Sequence, residues 1–114
     1  MTLQAIASMM AEMVQDASLN GYTYYQYPEG SAPDLPYLIF YYPSTNNESA
    51  DSVVWANINR LNIELYTENK DFLKESKIEA VLNKYGFFYN KIETYIDDEK
   101  MYEVLYEVEV VING

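Results

Sequence analysis

The stretch Met101-Tyr-Glu-Val-Leu-Tyr-Glu-Val-Glu-Val-Val-Ile112 alternates with a period of two. Tyr102, Val104, Tyr106, Val108, Val110 and Ile112 fall on one side. Glu103, Glu107 and Glu109 fall on the other, with Leu105 and Val111. A helix would scatter these residues around its circumference, whereas a strand sorts them onto one apolar and one acidic face. Immediately upstream, 87–96 reads as a second strand, and Asp97-Asp98-Glu99 as the turn between the two.

A third strand is expected over 53–66. Leu61, Ile63 and Leu65 alternate with Asn62, Glu64 and Tyr66, which puts Ile63 and Leu65 in the core and Glu64 opposite. Val54, Ala56 and Ile58 follow the opposite phase, so a bulge or bend is expected near Asn59-Arg60. Residues 37–42 are aromatic and aliphatic and close at Pro43, as suits a buried strand. Residues 22–27 read as a short tyrosine-rich strand. Between them, 28–36 holds three prolines and a glycine and forms a loop. The polar segment 44–52 is expected to be a second long loop.

Two helices complete the pattern. Leu3, Ile6, Ala7, Met10, Met13, Val14 and Ala17 trace one helical face over 3–19, with Thr2 as the cap and Asn20-Gly21 as a left-handed stop. Ile78, Val81, Leu82 and Tyr85 give the second helix, about 71–84, its apolar side, and Gly86 ends it. The order α-β-β-β-α-β-β implies an α+β domain spanning 1–114: a mainly antiparallel β-sheet with two α-helices packed on it.

The chain has 114 residues, room for one domain, with an expected radius of gyration of roughly 13 Å. Hydrophobic residues make up 49 %, enough for a core. Cysteine is absent, which excludes disulfides and thiolate sites, and histidine is absent, which removes the commonest general base and metal ligand. The formal charge is −11. No Lys or Arg precedes Arg60, and none of the seven bases cluster. Binding to a phosphate backbone needs such a cluster, so no sequence-specific nucleic-acid partner is expected, and anionic membrane surfaces are disfavoured for the same reason. No apolar run approaches the 18 residues of a membrane span. Met1-Thr-Leu-Gln-Ala5 lacks the basic start of a signal peptide, and helical spacing explains it better.

Few residues invite chemistry. Asp97-Asp98-Glu99 lacks the glycine and spaced ligands of a calcium loop. Glu103, Glu107 and Glu109 could be imagined as an acid–base pair, yet no nucleophile or partner base accompanies them, and a solvated or subunit-facing strand surface explains them better. Ser76-Lys77 sits on a polar helix side. The glycines at 21, 30, 86 and 114 form no phosphate loop. No catalytic, cofactor-binding or metal residue is assigned, no cofactor is expected, and the protein is read as a non-enzyme. The thirteen tyrosines are the compositional oddity. One small sheet cannot bury them all with satisfied hydroxyls, so an interface role is expected for the group.

One ordered set of short motifs carries a resemblance. It runs Leu35-Pro-Tyr37, Asn46-Asn47, Ala50-Asp51, Ile63-Glu-Leu-Tyr-Thr67, Lys70-Asp71, Ile78-Glu79, Tyr95-Ile-Asp-Asp-Glu-Lys-Met101 and Tyr106-Glu107. This order resembles the tail-completion proteins (tail terminator or neck) of long non-contractile-tailed phages and prophages, over about 35–107. Such proteins are similar to the lambda-type tail terminator, an antiparallel sheet flanked by two helices. The resemblance implies a structural virion protein that forms a ring, typically a hexamer. The ring caps the head-proximal end of the tail tube, stops tube polymerisation and takes part in head–tail joining. The implied partners are further copies of the chain, the tail tube protein and the head–tail connector proteins. The implied location is the virion neck, and the host cytoplasm during assembly. The segments 28–36 and 44–52 are the expected contact loops. The alternative is an acidic phage-encoded inhibitor that mimics DNA and blocks a host nucleic-acid enzyme.

Overall fold

The computed structural model describes residues 2–50 and 53–112, with the side chains of 2–44 and 59–111. The elements run α1 (Leu3–Asp16), β1 (Tyr22–Tyr24), β2 (Tyr37–Tyr41), β3 (Thr45–Ala50), β4 (Val53–Thr67), α2 (Phe72–Lys84), β5 (Tyr89–Ile96) and β6 (Met101–Ile112). The α+β class and the expected order are both present, with one short strand, β3, in addition. The sheet order is β1-β2-β4-β6-β5, and β3 pairs with β4 alongside β2. All pairs are antiparallel except β1 with β2. That parallel pair needs a crossover of about a dozen residues, which the segment 25–36 supplies.

Both helices lie on one face of the sheet, over the apolar side that alternation dictates. Leu38, Phe40, Leu61, Ile63, Leu65, Val104, Tyr106, Val108 and Val110 form that side, and Ile6, Met9, Met10, Met13, Ile78, Val81 and Leu82 cover it. Met9 lies outside the expected stripe of α1 yet is fully buried. The reason is that α1 packs against α2 as well as the sheet, so its buried arc is wider than one stripe.

Local chemistry sets the helix ends. The Thr2 hydroxyl accepts from the Ala5 N–H at 3.0 Å, and the Asp71 carboxylate accepts from the Lys74 N–H at 3.1 Å. Gly86, at φ 79°, takes the left-handed turn that ends α2. At the end of α1 that turn falls on Ser18 (φ 55°) and not on Asn20-Gly21. Leu19 is drawn into the core there, and Asn20 has another task. Its side-chain amide donates to the carbonyls of Asp34 (2.7 Å) and Leu35 (3.2 Å), tying down the 28–36 loop.

Four strand expectations need correction. Residues 45–50 are a strand, not a loop, because backbone pairing with β4 needs no apolar side chains. Asp51 and Ser52 of that expected loop lie outside the described residues. The register break lies between Glu48 and Ser49, opposite Ala56 and Val54, and not near Asn59-Arg60. From Asn57 to Thr67, β4 pairs with β6 unbroken. The expected faces of the Val54, Ala56, Ile58 and Ile112 side chains lie outside the described residues. Tyr25 leaves β1 at φ 68°, so that strand ends at Tyr24. Phe87 still donates to the Leu82 carbonyl as part of the helix cap, so β5 begins at Tyr89.

The radius of gyration is 15.1 Å and the longest dimension 51 Å. The expected 13 Å assumed a rounder molecule. A fifteen-residue strand is itself about 50 Å long, and β4 runs past the end of β6, so that Val53, Val54 and Ala56 pair with β3 alone.

Candidate functional site

Among the described residues no helix covers the second face of the sheet. Strand alternation and register arrange its side chains in rows. Tyr37 of β2 lies beside Tyr66 of β4, then Glu103 of β6 and Thr94 of β5. The next row is Ile39, Glu64, Leu105 and Ile92, and the one after it Tyr41, Asn62, Glu107 and Asn90. Most of these side chains are half-buried by one another, and Ile92 is exposed. The surface is therefore aromatic and aliphatic with carboxylates set into it.

Its centre is a phenol between two carboxylates. Tyr66 Oη lies 2.8 Å from Glu103 Oε2 and 3.1 Å from Glu64 Oε1. Burial and the neighbouring Glu103 push the Glu64 carboxyl up to about 7. Burial, with both carboxylates alongside, pushes the Tyr66 phenol upward too, so it stays a proton donor. Glu64 was expected merely to lie opposite the core; instead it is packed and hydrogen-bonded. Tyr37 packs against Tyr66 with the rings tilted by 38° and centroids 5.5 Å apart, and Tyr27 meets Tyr37 edge-on at 5.2 Å. Asn62 donates from Nδ2 to the Tyr41 hydroxyl at 3.2 Å, while its Oδ1 is buried without a donor.

The acids singled out in the sequence separate. Glu103 joins Tyr66, Glu107 forms a 3.7 Å ion pair with Arg60, and Glu109 lies opposite Arg60 in the register. Asp97, Asp98 and Glu99 are exposed in the β5–β6 turn. Among the described residues no group of three or more acids is placed to hold a metal ion. Ser76 donates to the Leu73 carbonyl, one turn back in its own helix, and both it and Lys77 are exposed. Among the described residues no helix is long and apolar enough to cross a membrane. Of the two expected contact loops, 28–36 is a loop and 45–50 a strand. The tyrosines divide between the two environments, and the Tyr27 hydroxyl is buried without a partner. Tyr106 is fully buried, whereas Tyr22, Tyr24, Tyr25 and Tyr95 are exposed.

The sequence did not single out the Glu64–Tyr66–Glu103 cluster. The spacing of Glu64 and Tyr66 in one strand was the available signal, but only the pairing with β6 brings in Glu103.

No protein-family model matches the chain, and no curated protein does. Among solved structures, a chain from a virion of a native gene transfer agent particle shares the fold. The TM-score is 0.69 at 12 % identity, over 99 % of this chain and 96 % of that one. The likeness thus takes in both helices and the whole sheet.

Proposed function

We propose that this protein is a structural, non-enzymatic component of a phage or phage-like virion that acts as a tail terminator. The observation that carries the reading is the near-complete overlap of fold with a chain of a gene transfer agent virion. The ordered motifs between Leu35 and Glu107 support the same reading from the sequence side. In this reading the chain forms a ring, a hexamer, on the head-proximal end of the tail tube. The ring stops tube growth and presents a surface to the head–tail connector. The uncovered, tyrosine-rich sheet face is the principal assembly surface.

Charge shapes how such a ring forms. Six copies at −11 carry 6 × −11 = −66. Their repulsion is screened over about 8–10 Å at 0.1–0.15 M salt, so ring formation is favoured by salt and by contact with the tube. The test is electron microscopy of particles assembled without this protein. Overlong or headless tails are the expected result. Tails of normal length joined to heads would overturn the reading.

A further inference from the structure

The uncovered face has more acceptors than donors. Tyr66 has one hydroxyl hydrogen and two carboxylate oxygens within 3.1 Å. It satisfies one of them; a protonated Glu64 supplies a second hydrogen, and once Glu64 ionises the remaining contact is oxygen against oxygen unless a cation takes the place of that proton. Asn62 adds an acceptor, Oδ1, buried on the same face with no donor, in a residue only 8 % exposed. Among the described residues the cation paired on this face is Arg60, and it serves Glu107.

The chain carries a complementary surface elsewhere. The outer side of α2 presents Leu73, Ser76, Lys77, Ala80 and Asn83, all exposed, with Phe72 beside them. This stripe holds no acid, in a chain with 18 of them. Leu73 is 67 % exposed and Phe72 73 %, large apolar side chains left in water. Of the seven bases, Lys70, Lys84, Lys91 and Arg60 are in ion pairs, Lys74 donates to the Ala17 and Ser18 carbonyls, and Lys100 is exposed in the β5–β6 turn next to Asp97, Asp98 and Glu99. Lys77 stands mid-stripe, with the small Ser76 and Ala80 alongside to permit close approach.

We propose that the uncovered sheet face of one copy receives the outer side of α2 from the next copy, with Lys77 seated between Glu64 and Glu103 beside Tyr66. Phe72 and Leu73 then cover Ile39, Leu105 and Ile92. The two surfaces lie on opposite sides of the molecule, because α2 packs on the other face of the sheet. The contact is therefore head-to-tail, the type that builds a ring when its rotation closes. A symmetric pairing of two uncovered faces is disfavoured, since it would set the same carboxylates against each other. This inference rests on the reading of the uncovered face as an assembly surface, but not on what the ring is attached to.

The experiment is sedimentation velocity on the full chain across a concentration and salt series, with circular dichroism to confirm folding. Lys77→Glu and Glu103→Lys should each weaken self-association by about tenfold or more. Mixing the two variants should restore association, since each then offers the complement of the other. Glu64→Gln, which removes a repulsion and leaves the fold intact, should weaken association by a smaller factor. The exposed turn variant Asp97→Asn should leave it unchanged. Self-association equal to wild type in Lys77→Glu would overturn the proposal. So would a mixture that fails to recover, or a wild-type chain that stays monomeric up to its solubility limit at every salt. Those results would leave the virion reading standing, because the particle-deletion experiment tests that reading separately.

Discussion

The two faces of the sheet carry the same pair of groups and treat them in opposite ways. On the helix side, Tyr106 Oη donates to Glu79 Oε2 at 2.8 Å. Lys91 lies 2.7 Å from Glu79 and 2.8 Å from Glu75, and Lys70 reaches Glu75 at 2.6 Å and also pairs with Glu93. Burial would raise the Glu79 carboxyl, yet Lys91 and Tyr106 together hold it below the usual carboxylate range. On the uncovered side, Tyr66 again faces carboxylates, but Lys and Arg are missing from the cluster among the described residues. There burial and Glu103 win, and Glu64 is raised. The difference is the supply of cations. β5 points Lys91 toward the helices and Asn90, Ile92 and Thr94 toward the open side, so alternation along one strand gives the covered side its base and denies it to the other. The helix side pairs its carboxylates with lysines, whereas on the open face the ion pair is Arg60 with Glu107 and the Glu64–Glu103 cluster is left to Tyr66.

The comparison breaks first if the covered side is not the seat of stability. Ile63 and Leu65 are fully buried there, and alanine at either should cost about 2–5 kcal/mol in urea unfolding. A loss no greater than at Glu64 would mean the faces are assigned the wrong way round. Next in size, Tyr106→Phe removes a buried donor to a charged group and should cost about 1.5–3 kcal/mol. A neutral result would show that Lys91 alone satisfies Glu79.

Glu64→Gln sharpens the contrast. The folded-state carboxyl titrates near 7 and the ordinary value is 4.5, so between those pH values the folded chain holds a proton that the unfolded chain has released. Glu64's contribution is complete below about pH 4.5 and is lost as the pH rises to about 7. The Gln variant should flatten that decline. It should be the more stable protein at pH 8 by on the order of 1 kcal/mol, the shift being discounted for partial exposure. Parallel pH–stability curves for the variant and wild type would contradict the assignment. The smallest expected effect is a null one. Duplex DNA should not be bound at physiological salt, because an open face of carboxylates and a chain without a basic cluster repel phosphate. A mobility shift abolished by salt would overturn this.

Most of the architecture was legible in the sequence, because burial on one side writes a period into the chain. The alternation in β6 and about Ile63, and the helical spacing of α1 and α2, named both helices and the central strands. Thr2 and Gly86 were readable as helix ends, since each satisfies a local backbone need with its own side chain or its lack of one. What escaped depended on neighbours. Thr45–Ala50 is polar and looks like a loop, and becomes a strand through the backbone of β4. Met9 is buried by a second helix, which no single-helix stripe encodes.

The functional surface divides along the same line. By itself the sequence determined that the chain is acidic, rich in tyrosine, free of cysteine and histidine, and built as a one-sided sheet with two helices, because composition and periodicity are properties of the chain alone. Only the tertiary structure decided that Glu103 meets Tyr66 and Glu64 while Lys91 turns to Glu75 and Glu79. Which carboxylates share a proton and which share a cation depends on register between strands far apart in sequence, and a shift of one residue would exchange the two faces.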